Sequence, residues 1–228
     1  MKMVEITACC MGFVIIMSLS FNVVYAPDPP PLQDFCVGVV GPSFPVSVNG
    51  LFCKNPNNVT SDDFRFQGFN IPGNTSNRYG SEAVMTNVFR FPALNTLGIA
   101  MGRVDYAPGG VNPLHFHPRA SEMQTVIQGT LFAGFISNNS PDGINRLYSS
   151  VLKEGDIFVF PQGLIHFQIN VGDTPAVANS AFGSQNPGRV DIDQAVFGST
   201  PVIPNDVLTR AFQVDEGIIQ ALRSQFDD

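Results

Sequence analysis

From Leu97 to Phe182 the chain alternates short apolar runs with turns marked by glycine and proline, and this rhythm constrains its fold more than any other feature. Leu97, Ile99 and Met101 alternate with the small residues Gly98, Ala100 and Gly102, the period-two signature of a strand. Residues 103–106 carry that strand to Pro108-Gly109-Gly110, a strong turn signal. Glu122 to Gln128 reads as the next strand, and Gly129-Thr130 separates it from Leu131–Ile136 as a hairpin or a bent continuous pair. Leu147–Leu152, Ile157–Phe160, Phe167–Val171 and Ala176–Phe182 follow, divided by Lys153-Glu154-Gly155-Asp156 and Pro161-Gln162-Gly163. Short strands at this spacing, without a βαβ rhythm, predict an all-β sandwich or barrel. Composition agrees: 21 Gly and 18 Pro supply turns, and 14% charged residues is well below the roughly 25% usual in soluble domains.

The flanks differ from this centre. Lys2 precedes an apolar run from Ala8 to Leu19, too short to span a bilayer and built like the core of a signal peptide. A retained anchor or a buried helix is the alternative. Two cuts fit: after Ala26, in Val24-Tyr25-Ala26, and after Ser20, before Phe21. Residues 1–26 are therefore read as a signal peptide, with no membrane span once it is removed. Residues 27–80 form an extension that opens with Pro27, Pro29, Pro30 and Pro31 and passes into a surface loop rich in Asn, Ser and Gly over 54–80. The β domain covers 81–200, with its core pattern starting near Val84. Residues 201–228 are expected to be helical. Pro204-Asn205-Asp206 starts one helix through Val207, Leu208 and Ala211, and Asp215 caps another with Ile218, Ile219, Leu222 and Phe226 on one face. That apolar face needs a partner, in its own barrel or in a neighbouring subunit.

Signal removal takes Cys9 and Cys10 away and leaves Cys36 and Cys53. In an oxidising compartment these two most simply form one disulfide, the alternative being two buried thiols. Three sequons, at Asn58, Asn74 and Asn138, agree with export, although the third is followed by Pro141. A net charge of −7 and the lack of a basic stripe argue against nucleic acid as a partner.

The chain has three histidines, His115, His117 and His166. Two residues apart on a strand, His115 and His117 point to one face. Glu122 follows where the next strand begins, and His166 stands at the start of another. Each has a plainer reading alone: a surface pair in a proline-rich turn, a solvated carboxylate, a core histidine. Together they predict a divalent transition metal held by three nitrogens and one oxygen. The lack of thiolate argues against structural zinc. Manganese or iron fits best, with copper, nickel and zinc left open.

The spacing Gly109-x5-His115-x-His117-x4-Glu122-x6-Gly129, followed by Gly155-x5-Pro161-x-Gly163-x2-His166-x3-Asn170, resembles the two motifs of the cupins. Pro31-Leu32-Gln33-Asp34-Phe35-Cys36, Asn95-Thr96-Leu97-Gly98, Asp105-Tyr106-Ala107-Pro108-Gly109-Gly110, His117-Pro118-Arg119-Ala120 and Ser184-Gln185-Asn186-Pro187-Gly188 are similar to the plant germins and germin-like proteins in particular. The resemblance covers essentially the whole mature chain. It implies a cupin β-jelly-roll barrel with a short C-terminal helical segment, manganese on His115, His117, Glu122 and His166, and a disulfide matching Cys36–Cys53. It further implies a homo-oligomer, a hexamer built as a trimer of dimers, secreted to the apoplast or cell wall.

Founding members of that family oxidise oxalate, and two asparagines near the metal help to hold it. Asn112 matches one; the other position is Gly102 here, and the basic-Gly-acidic tripeptide of many relatives is Gln128-Gly129-Thr130. Losing one charge-assisted hydrogen bond to a substrate carboxylate costs roughly 1.5–3 kcal/mol. That loss favours a redox metal site acting on a small oxygen species, and the resemblance implies as the first expectation a defence-linked superoxide dismutase, an activity described for many germin-like proteins. Oxalate oxidase activity on a small carboxylate, giving hydrogen peroxide, comes second. A non-enzymatic wall glycoprotein or binding module with a structural metal is the third. Met101, Met123, Phe158 and Phe167 are candidates to line the barrel around the metal, with plain core packing as their alternative role.

Overall fold

The period-two pattern becomes ten strands in the computed structural model, which describes residues 35–41, 50–139 and 141–226. They are β1 (Ser81–Thr86), β2 (Ala100–Tyr106), β3 (Val111–Phe116), β4 (Glu122–Gln128), β5 (Thr130–Ser137), β6 (Arg146–Lys153), β7 (Ile157–Phe160), β8 (His166–Asn170), β9 (Ala176–Phe182) and β10 (Val190–Asp191). One antiparallel sheet has the order β1-β2-β9-β4-β7 and the other β10-β3-β8-β5-β6. This is an all-β jelly roll with a short helical segment. The signal segment, the proline run and both cut sites lie outside the described residues. Among the described residues no helix is long and apolar enough to cross a membrane.

The chain passes from one sheet to the other between β4 and β5, at Gly129. Its φ of +85° suits glycine, and a Cβ there would stand 2.7 Å from Ala176 Cβ and 2.9 Å from Ala176 Cα. The strands on either side can then bury Val126, Leu131 and Ala133 together with Val104, Tyr106, Leu152, Phe160, Ala176 and Ala178 in one core. At the N-terminal edge Cys36 and Cys53 form a disulfide. Fully buried Asn95 ties this segment to the barrel: its Oδ1 accepts from Leu51 N–H at 2.7 Å and its Nδ2 donates to Leu51 O at 2.8 Å. Residues 54–80 hold two 3-10 turns and no strand, as the composition of that stretch predicts.

The expected strand from Leu97 begins only at Ala100. Leu97 sits between Thr96 and Gly98, both with positive φ (68° and 67°), so that stretch is a turn. Along β2 the small residues face inward, while Leu97, Ile99 and Met101 are between 40% and 54% exposed. The reason is room: a Cβ on Gly102 would lie 3.2 Å from the Phe182 ring. Met123 is turned outward too, because a strand that points Glu122, Gln124 and Val126 inward must point Met123 the other way. Phe167 packs on Phe132, on the side of β8 opposite buried His166 and Gln168. Of the four expected lining residues only Phe158 packs against the central core.

Three short helices follow: α1 (Ile192–Phe197), which the sequence pattern did not reveal, α2 (Asn205–Phe212) and α3 (Glu216–Arg223). The two expected helices start where predicted, although Asp215 makes no side-chain cap bond. Leu208 and Ile219 are buried, whereas Ile218 and Leu222 are exposed, so the predicted apolar face of α3 is divided.

Gly129→Ala is expected to cost about 2–3 kcal/mol, from positive-φ strain plus overpacking against Ala176. The midpoint of denaturant unfolding measures it.

Candidate metal centre

Each predicted ligand stands at a strand end, where backbone leaves the sheet and a side chain can turn to the barrel interior. His115 is the last residue but one of β3 and is paired with His166, the first residue of β8. A register shift between Asn112 and His115 accommodates Pro113, which has no N–H for the ladder. His117 follows just beyond β3, and Glu122 opens β4 between Phe160 and Phe182. All four are at most 4% exposed, and one donor atom from each lies within 4.8 Å of the others.

The imidazoles are oriented by one repeated device. His115 Nδ1 donates to Pro113 O at 2.7 Å, His166 Nδ1 to Leu164 O at 2.8 Å, and His117 Nδ1 to Gly188 O. These bonds fix the orientation of each ring, with Nε2 turned toward the centre and its lone pair available to a cation. Glu122 Oε2 lies 3.1 Å from His117 Nε2 and 3.3 Å from His166 Nε2. His166 Nε2 is buried and has no hydrogen-bond partner there. Three lone pairs and a carboxylate facing one dry point repel one another unless a cation lies between them. The set fits a divalent metal in both donor type and geometry.

Electrostatics prepare the ligands. Burial, together with the Arg189 guanidinium and the His166 ring beside it, holds the His115 pKa well below its ordinary value and keeps the ring neutral. Burial opposes ionisation of Glu122, but in the metal-free protein a proton shared with the Nε2 atoms of His117 and His166 stands where the cation would, outweighs burial and holds the carboxyl far below the usual carboxylate range.

Further side chains position the ligands. Ser180 Oγ donates to Glu122 Oε1 at 2.6 Å, and Gln124 Nε2 approaches Ser180 Oγ at 3.3 Å. Phe160 stacks on His166 at 4.6 Å and Phe182 packs edge-on against His117 at 4.9 Å. Gly188, which accepts from His117, has φ +68° and lies against the Arg119 guanidinium, where a Cβ would come within 2.6 Å. Motif spacing reveals none of Ser180, Gln124 or Arg189, and the Ser184–Gly188 stretch contains Gly188 without showing its role. Strand parity is the signal available for two of them: Gln124 is two residues from Glu122, and Ser180 shares a face with Ala176, Ala178 and Phe182.

A cavity of about 230 Å³ opens against His115, His117 and Glu122, with Gly102, Asn112 and Phe182 in its walls. A larger, open groove of about 610 Å³ runs beside Phe66–Asn70 and contains none of the four ligands. Asn112 is buried with its amide engaged at both ends, Nδ2 donating to Gln168 Oε1 at 2.7 Å and Oδ1 accepting from Arg189 Nη1 at 2.8 Å.

In the metal-free protein, unfolded His115 and Glu122 take up protons that the folded residues refuse. Stability is therefore expected to fall as pH drops below 6.5, from His115, and further below 4.5, from Glu122. Thermal melts across a pH series show the trend. Ser180→Ala frees one oxygen of Glu122 and is expected to weaken metal affinity about 10- to 100-fold. Competition with a metal-binding dye measures it.

The cupin family profile matches residues 67–220. Germin-like protein 8-12 of Oryza sativa subsp. japonica is 54% identical over 209 residues, 91% of each chain. Germin-like protein subfamily 1 member 7 of Arabidopsis thaliana is 51% identical over 212 residues, 93% of this chain and 91% of the relative. Among solved structures, a recombinant oxalate oxidase in complex with glycolate superposes with a TM-score of 0.83 at 46% identity, covering 88% of this chain and 98% of that one. A jelly roll with a buried three-histidine, one-glutamate cluster and likeness along nearly the whole chain lead to one conclusion: the chain belongs to the cupin family, among the germin-like proteins.

Proposed function

We propose that this chain is a secreted manganese protein of the apoplast that dismutes superoxide, with a role in plant defence. The carrying observation is the cavity itself. At about 230 Å³ it suits a very small substrate, and its wall at Gly102 has no side-chain donor to hold a dicarboxylate. Bound manganese would supply alternating one-electron oxidation and reduction, by which two superoxide ions and two protons give dioxygen and hydrogen peroxide. His115, His117, Glu122 and His166 hold the ion. Ser180 fixes the carboxylate, and Met85 and Phe182 keep the cavity narrow.

Secretion is supported by the Cys36–Cys53 disulfide. Asn58, Asn74 and Asn138 are exposed and open to glycosylation. Assembly into a hexamer, a trimer of dimers, is supported by the apolar surface left uncovered on α2 and α3, at Val207, Phe212, Ile218 and Leu222.

Oxalate oxidation is the second reading. The oxalate oxidase that resembles this chain was solved with glycolate, a small carboxylate, and Asn112 lies in the wall of the cavity.

Manganese-loaded protein is expected to dismute superoxide, and chelation or His115→Ala to abolish this. Unchanged activity in His115→Ala would defeat the reading. Peroxide release on adding oxalate to the same sample would favour the second reading.

A further inference from the structure

The walls of the cavity differ in what they offer an anion. Gly102, Met85 and Phe182 present no polar side chain. Beyond the ligands, the polar side chains of the lining are Asn87, Arg103, Ser180, Asn186, the buried Asn112 and Arg189, whose exposure puts it at the mouth. The fold places Arg189 there through β10, the short strand that pairs with β3 and sets Asp191 opposite His115. Asp191 receives hydrogen bonds from Nε and Nη2 of Arg189, and Nη1 donates to Asn112 Oδ1 at 2.8 Å. A guanidinium has five N–H donors in a rigid fork. These contacts engage three and leave one on each terminal nitrogen. Asn112 in turn is locked, because its Nδ2 donates to Gln168. Arg103 also lines the cavity, but Asp105 takes its Nε and Nη2, and its side chain reaches the outer groove beside Phe66–Asn70 as well.

We propose that Arg189 is a positioning residue for a small monovalent anion, which its guanidinium, braced by Asp191 and coupled to Asn112, orients from the mouth of the cavity toward the four ligands. This inference rests on the reading that the cavity takes a small anion, and not on which reaction follows. Met85, Gly102 and Phe182 offer an anion no hydrogen bond, so a compact anion held by Arg189 keeps its other end free to face the centre. A planar, charged fork suits that task better than a flexible ammonium.

Azide serves as the probe, titrated calorimetrically into full-length manganese-loaded protein. Arg189→Gln is expected to weaken azide binding about tenfold or more at unchanged manganese content, the loss expected for one charge-assisted hydrogen bond. Arg189→Lys is expected to bind with intermediate affinity, since it keeps the charge and loses the fork. Arg146→Gln, an exposed pair member on β6, removes the same charge elsewhere and is expected to bind azide like the parent. Azide affinity within about twofold of the parent in Arg189→Gln overturns the proposal, as does an equal loss in Arg146→Gln or no azide binding by the parent. Should Arg189→Gln fail to fold or load, parent-like affinity in Arg189→Lys overturns it. If azide binding depends on Arg189 but superoxide is not consumed, the dismutase reading fails and this inference stands.

Discussion

A carboxylate and three imidazole nitrogens converge on one buried point, and only a cation can make that arrangement favourable. Much of the barrel serves this convergence. Three backbone carbonyls, from Pro113, Leu164 and Gly188, take the Nδ1 protons and turn the Nε2 lone pairs inward. Ser180 holds the far oxygen of Glu122, and two phenylalanine rings limit movement of His166 and His117. Burying unpaired lone pairs costs free energy on folding. Metal binding recovers it, so the site and the stability of the fold are linked.

The segment from Ser184 to Asp191 connects scaffold and site. Gln185 Oε1 accepts from Thr96 N–H, Asn186 O accepts from Arg119 Nε, and Gly188 O accepts from His117. Arg189 then reaches Asn112 across the cavity mouth. One short irregular stretch thus orients a ligand and sets the polarity of the entrance. Strands alone could not do both, because their side chains alternate strictly between two faces.

The ligands were legible because their signal is local: residue type, a two-residue step, and a turn at a fixed distance. Helix starts at Asn205 and Glu216 were legible for the same reason. The side on which a strand buries its large residues was not. Leu97, Ile99 and Met101 form an apolar alternation, yet the barrel turns Ala100 and Gly102 inward because Phe182 already occupies that space. Met123 points outward for a related reason, because buried Glu122 beside it fixes its direction. Helix α1 was missed because its six residues are too few to show a periodic face.

The sequence by itself determined an all-β chain, the four ligands, the cysteine pair and the turns that separate the strands, since each depends on residues close together in the chain. Tertiary structure decided what surrounds the metal site. Ser180 is 58 residues from Glu122, Gly188 is 71 from His117, and Arg189 is 77 from Asn112. Contacts at such separations arise only when two sheets close on each other, so no local pattern announces them. The character of the cavity, narrow, apolar at Gly102 and cationic at Arg189, comes from that closure.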